Sequence, residues 1–171
     1  STRGRGGVVE NIYVDGIYMF DIVTDSFLFD LYYGGKSATE ALEEGNENQK
    51  ESVLMPVTEE TPVFRNIFVK NIVSRNAHRA MFFNGLPEMK INNIQVENAF
   101  ITATYGAELN NSKDIVFKNI YVEPTIGPAL RLSRIENFKA ENFTYPEKLE
   151  NEIEMKGEEN KNIIISNIQL K

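Results

Sequence analysis

The chain of 171 residues contains no cysteine, which excludes disulfides, zinc knuckles, iron–sulfur clusters and thiol catalysis. Histidine occurs once, as His78, so no site needing two imidazoles can be built. Neither a metal nor a cofactor is expected. Long apolar runs are missing as well. The best stretch, 18–33, is interrupted by aspartates and falls short of the roughly 20 residues of a membrane span. Positive charge is in deficit, with 18 Lys and Arg against 25 Asp and Glu and a formal net charge of −7. That argues against a nucleic-acid partner, which calls for a basic footprint on the protein. No signal-peptide pattern is visible, and the sequence opens on Ser-Thr-Arg without a Met, so a natural N-terminus further upstream is expected. The absence of cysteine fits a cytosolic protein and a bacterial exported one alike. What remains is 42% apolar and 25% charged, enough for one domain with a core and too apolar for disorder.

The chain repeats itself, and repeats decide architecture. Six segments carry a pattern in which an asparagine follows an apolar residue by two positions and precedes apolar residues by one and three. The segments are Val9-Glu-Asn11-Ile-Tyr-Val14, Phe64-Arg-Asn66-Ile-Phe-Val69, Ile91-Asn-Asn93-Ile-Gln-Val96, Phe117-Lys-Asn119-Ile-Tyr-Val122, Ala140-Glu-Asn142-Phe-Thr-Tyr145 and Ile165-Ser-Asn167-Ile-Gln-Leu170. From Asn66 onward these asparagines are 27, 26, 23 and 25 residues apart. A second apolar pair recurs upstream of most of them: Met81 and Phe83, Ala107 and Leu109, Leu130 and Leu132, Ile153 and Met155. Both segments alternate with period two, the signature of a strand with one buried face. A unit of this kind must stack on its neighbours to bury that face. Stacking at about 4.8 Å per layer gives parallel sheets with inward columns, here rich in isoleucine. Asparagine tolerates the left-handed conformation, so one ladder of asparagines at a corner is expected. The pattern predicts an all-β chain folded as a parallel β-helix, rather than a leucine-rich repeat, whose columns would be leucine. In this register Ile94 and Ile120 should be stacked on each other inside adjacent rungs.

The first interval breaks the period. Between Asn11 and Asn66 lie one strand, Ser26-Phe-Leu-Phe-Asp-Leu31, then Gly34-Gly35 and a stretch rich in glutamate. The reading is a single β-helix domain over 1–171 with a solvated surface insertion at about 36–60, carrying a short helix near 37–44. Loops of that length are usually functional or disordered.

Three segments resemble glycoside hydrolase family 28, the polygalacturonases and their relatives. They are Ser1-Thr-Arg-Gly-Arg-Gly-Gly-Val-Val-Glu-Asn-Ile12, Asp21-Ile-Val-Thr-Asp-Ser-Phe-Leu-Phe-Asp-Leu-Tyr-Tyr-Gly34 and Pro56-Val-Thr-Glu-Glu-Thr-Pro-Val-Phe-Arg-Asn-Ile67. The resemblance is to the C-terminal part of the bacterial members. It implies a right-handed parallel β-helix, inverting hydrolysis of galacturonate-containing polysaccharide, and a secreted or periplasmic location. In that family an Arg-x-Lys motif binds the substrate carboxylate, and Ser1 falls just after it. The family's Asn-Thr-Asp, Asp-Asp and Gly-His-Gly motifs lie further upstream. This sequence has no Asp-Asp pair, no Gly-His-Gly and no Arg-x-Lys. The resemblance therefore implies a part of the enzyme without its general acid and base, inactive by itself. The alternative is a β-helical module that binds carbohydrate or has a structural role, as in adhesins or phage tail proteins, with no hydrolase ancestry.

No catalytic residue is assigned. Inverting hydrolysis needs two carboxyl groups held across a cleft, and Asp21, Asp25 and Asp30 are read as solvated acids at rung edges. For substrate binding, the resemblance gives a subsite tyrosine to Tyr33, or to Tyr32 if the register slips by one. An aromatic there can stack on a sugar face. Arg3 and Arg5 lie in the glycine-rich turn, where a guanidinium suits a uronate carboxylate; the alternative is a turn whose arginines face water. His78 is read as solvated in a connecting turn. The glycosylation sequons at Asn110 and Asn142 are read as by-products of an asparagine-rich repeat. Finally, the strand at 8–14 opens with Gly-Gly-Val-Val and no polar cap, which predicts a homodimer through the exposed N-terminal rung, with a frayed monomer as the competing outcome.

Overall fold

The computed structural model describes residues 1–32, 54–147, 149, 152–166 and 169–170. Among them every regular element is a strand. β1 (Val8–Phe20) and β2 (Asp25–Asp30) make the first coil. β3 (Val63–Asn84), β4 (Ile91–Asn110) and β5 (Ser112–Ser133) each run through a whole coil. β6 (Glu136–Tyr145) with β7 (Ile153–Lys156), and β8 (Lys161–Ser166) with β9 (Gln169–Leu170), complete the stack. The order across the sheet is β1-β3-β4-β5-β6-β8, with β2 beside β3, β7 beside β5 and β9 beside β6. All eight pairings are parallel. The chain is a parallel β-helix. No helix among the described residues is long and apolar enough to cross a membrane. The helix expected near 37–44 and most of the insertion expected at 36–60 lie outside the described residues. Residues 54–62 form an irregular connection with a turn at Glu59 and Glu60.

A strand of 22 residues such as β3 closes a coil only if it bends, and asparagine supplies the bends. Asn66, Asn71 and Asn76 have φ of 56°, 58° and 59°, a region that asparagine enters at little cost while most side chains are excluded. Cross-coil pairing lines these corners up in two long ladders, not one. The first runs Asn11, Asn66, Asn93, Asp114, Asn137, Asn162; each amide donates to the Oδ1 of the coil before it at 2.8–3.3 Å, save at the Asn93–Asp114 step. The second starts at Asp15, beside Gly16, and runs through Asn71, Asn98, Asn119 and Asn142 at 2.7–3.1 Å.

This corrects the single asparagine column read from the repeat. Asn119 and Asn142 belong to the second ladder, five residues beyond the first. In β5 the first corner is Asp114, so the asparagine pattern skips there to the next corner; Asn142 then continues from Asn119, although β6 keeps an asparagine, Asn137, at its first corner. The β4-to-β5 step is consequently 21 residues at the ladder. Ile94 is paired with Ile115, and Ile120 with Ala99; Ile94 and Ile120 are both interior, but they do not stack.

The upstream apolar pairs keep their predicted alignment. Phe27, Met81, Ala107, Leu130 and Ile153 form one column, and Phe29, Phe83, Leu109, Leu132 and Met155 its neighbour. Phe117 is fully buried among Phe83, Phe138 and Phe143, with centroids 5.3–6.4 Å apart. Its bulk is matched by Ala140, the next member of its column, as close packing requires. At the β1 end the columns emerge into solvent: Ile12 and Ile17 are each 38% exposed, against 1% for Ile67 and Ile72 beneath them.

Candidate functional site

The glycine-rich turn and the end of β2 come together at one corner of the coil. Gly6 has φ of 61°, and a Cβ there would sit 2.1 Å from the Glu59 carbonyl oxygen, so only glycine fits. Backbone bonds from Gly4 N–H to Glu60 O at 3.1 Å and from Val63 N–H to Gly7 O at 3.0 Å clamp the turn onto the 54–62 connection. Thr2 then bridges Tyr32 across the corner, the one antiparallel contact among the described residues.

Arg3 lies on this corner with its guanidinium 5.5 Å from the centre of the Tyr32 ring. It forms a bidentate pair with Glu88, Nε to Oε1 at 2.6 Å and the second nitrogen to Oε2 at 2.7 Å. The Glu88 side chain is only 3% exposed. Burial acts to raise the Glu88 carboxyl, but the Arg3 hydrogen bonds, with backbone N–H groups including that of Met55, outweigh it and hold it below its ordinary value. The same hydrogen bond raises the Arg3 guanidinium. Arg3 is thus committed to a protein carboxylate, whereas Arg5, two residues on, is exposed. The Tyr32 hydroxyl is buried and has no hydrogen-bond partner among the described residues. Tyr33 lies outside the described residues.

Beneath Tyr32, Asp30 Oδ1 accepts the Tyr32 N–H at 2.9 Å and the Asn84 amide at 3.0 Å. Burial raises its carboxyl, with those two bonds opposing. Asp25, at the other end of β2, pairs with Arg79 and is 5% exposed at its side chain. The expectation of solvated acids fails for both. A neighbouring coil supplies Arg79 to one and Asn84 to the other, and local sequence carries no sign of either. Asp21 alone is exposed, at a corner with φ of 54°, accepting from the Asn76 amide at 2.7 Å.

From Asp25 a line of alternating charges crosses the coils. Arg79 reaches Glu108 at 3.8 Å, Arg131 meets Glu108 at 3.7 Å and Glu154 at 2.8 Å. Arg79 also covers the Phe82 ring at 3.7 Å. His78 is in strand β3 rather than in a turn, edge-on to Tyr105 at 5.2 Å. At the second sequon the Asn142 amide is engaged in its ladder.

Asp25 and Asp30 are five residues apart along one strand, about 16 Å at roughly 3.3 Å per residue. An inverting pair stands about 6.5–9.5 Å apart, so these two cannot act together. Among the described residues no group of three or more His, Asp or Glu is placed to hold a metal ion. Glu88 and the charge line escaped sequence reasoning, because their partners come from other coils and carry no periodic signal. What the corner presents to solvent is an exposed cation, Arg5, near a half-buried aromatic side chain, Tyr32. Compared with protein-family models, curated proteins and solved structures, the chain finds no match.

Proposed function

We propose that the chain is the C-terminal part of a secreted or periplasmic pectin hydrolase similar to glycoside hydrolase family 28. In this reading it forms one wall of the polysaccharide cleft and holds neither general acid nor base. The observation that supports it is the meeting of Arg3 and Tyr32. Two of the three segments that carry the resemblance, 1–12 and 21–34, converge on this corner through Arg3 and Tyr32. With Arg3 taken by Glu88, Arg5 is the cation left to meet a uronate carboxylate, and Tyr32 or Tyr33 provides the sugar-stacking face. For the chain taken alone, the exposed Ile12 and Ile17 of β1 support pairing with a second copy in a two-fold dimer.

The test is a reducing-sugar assay of this chain on polygalacturonate, joined to light scattering across a hundredfold dilution. The expected result is no hydrolysis, since loss of a catalytic carboxyl alone typically costs orders of magnitude. Sugar release that vanishes in Asp25→Asn or Asp30→Asn would overturn the absence of an acid and base. A strict monomer at every concentration would overturn the dimer.

A further inference from the structure

Of the asparagines in the chain only Asn84 is followed by glycine, and the fold requires both residues of that pair. Asn84 ends β3, where its side-chain amide donates to Asp30 Oδ1 at 3.0 Å. Gly85 turns the chain into the connection that leads to β4. A Cβ there would sit 2.1 Å from the Asn111 carbonyl oxygen and 2.9 Å from the Ile91 nitrogen, so only glycine fits. The amide that serves Asp30 therefore stands directly before a residue with no side chain to shield its nitrogen. The corner asparagines Asn66, Asn71, Asn93 and Asn119 are each followed by isoleucine, whose branched Cβ crowds the nitrogen.

An unshielded backbone nitrogen can attack the amide of the asparagine before it. The Gly85 nitrogen, on losing its proton, bonds to Asn84 Cγ; the Cγ–Nδ2 bond breaks, and the lost proton is returned through solvent to the nitrogen that departs as ammonia. Water then opens the cyclic imide and leaves a carboxylate at position 84, on a normal backbone or on one longer by a single carbon. The closed corner opposes the first step. Gly85 N–H donates to Asn110 O and Leu31 N–H to Asn84 O, both at 3.0 Å, and the Asp30 contact fixes the amide. Arg3 fastens the same corner through Glu88, which lies in the connection after Gly85. The attack thus waits on local opening. Its product favours the open form, since a carboxylate at 84 faces Asp30 in place of a donor and like charges repel. A longer backbone has no space at a corner that excludes a Cβ.

We propose that Asn84 is a site of spontaneous deamidation, gated by opening of the Tyr32 corner, and that the product releases Leu31 and Tyr32 from β3. The proposal rests on the geometry of the corner and does not depend on the hydrolase reading.

The full chain is incubated at neutral pH, folded and in urea, and digested. Deamidated peptides are located by mass, and isoaspartate by enzymatic methylation. In the folded chain Asn84 is expected to react ahead of the corner asparagines and more slowly than in urea. Arg3→Gln and Glu88→Gln, which loosen the corner without touching Asn84, should each speed the reaction about tenfold, equivalent to about 1.4 kcal/mol of opening free energy. Lys118→Ala, on another facet, should leave the rate unchanged. Asn84→Asp should speed amide exchange at Leu31 and Tyr32 and leave Ile94 as in the parent. An Asn84 that stays intact in the folded chain and in both corner variants, an equal acceleration in Lys118→Ala, or unaltered exchange at Leu31 in Asn84→Asp would each overturn the proposal. None of these results bears on the sugar-release assay, so the two readings stand or fall separately.

Discussion

β1 and β3 are neighbouring strands with nearly the same inward pattern, Ile12, Val14 and Ile17 against Ile67, Val69 and Ile72. Their environments differ sharply. The β3 residues have a coil on each side and are 1–3% exposed, whereas Ile12 and Ile17 have a coil on one side among the described residues and are 38% exposed. Local alternation therefore sets which way a side chain points, and the next coil sets how much that is worth. The same holds outside the barrel. Asp25 and Asp30 are half-buried and held by groups that arrive from β3, and among the described residues no coil delivers an anion to Arg75.

The comparison can be broken by truncating equivalent side chains. Ile67→Ala should cost about 2–5 kcal/mol as a buried large-to-small change, and Ile12→Ala about 1 kcal/mol, because part of its apolar area is already in water. Urea melts showing equal losses would refute the claim that the neighbouring coil confers the difference. Corners come next. Asn98→Ala removes one ladder bond given and one received and forces alanine to φ of 55°. About 1–3 kcal/mol is expected from the lost bonds and the strained backbone together. Asn98→Gly, which relieves the strain alone, should cost less; a larger loss for glycine than for alanine would show that the corner conformation is not what asparagine supplies.

A smaller effect is expected from Asp30. Its carboxyl is raised in the fold by burial, with the Tyr32 N–H and Asn84 amide opposing. A carboxyl raised in the fold contributes stability below its unfolded value of about 3.9, and that contribution is lost as pH rises through the folded value. Asp30→Asn keeps an acceptor for both donors and removes the ionisation. The variant should gain stability relative to the parent as pH is taken from 3 to 7; a relative loss over that range would contradict the assigned environment. Least affected should be Lys118→Ala, an exposed residue in the strand that holds buried Ile120, at under about 0.5 kcal/mol.

The alternation of apolar residues was enough to read strands, parallel stacking and the Met81/Phe83 columns, because a strand's inward face is written in its own residues. Register at the corners was not legible. Asn93 and Asn98 are both followed by a buried residue, and only the neighbouring coil distinguishes Asp114 from Asn119 as the partner of Asn93. The candidate site divides in the same way. The turn at Arg3 and the aromatic at Tyr32 could be singled out from local residues. The pairing of Arg3 with Glu88, 85 positions away, and the stacking of Arg75 on Phe100 could not, since both are made by register. Tyr33 remains a reading of sequence alone.

Register is therefore the claim on which the corner ladders and the facing columns rest, and the absence of native cysteine allows it to be measured directly. Gln95 and Val116 are paired, with side chains on the outer face, at a strand spacing of about 4.8 Å that lies within the range for a disulfide. The single-ladder register would instead set Gln95 beside Tyr121. Oxidation of the double variants Gln95→Cys with Val116→Cys and Gln95→Cys with Tyr121→Cys, read by mass after proteolysis, should give an intramolecular cross-link in the first and none in the second. A cross-link in the second and none in the first would contradict the account.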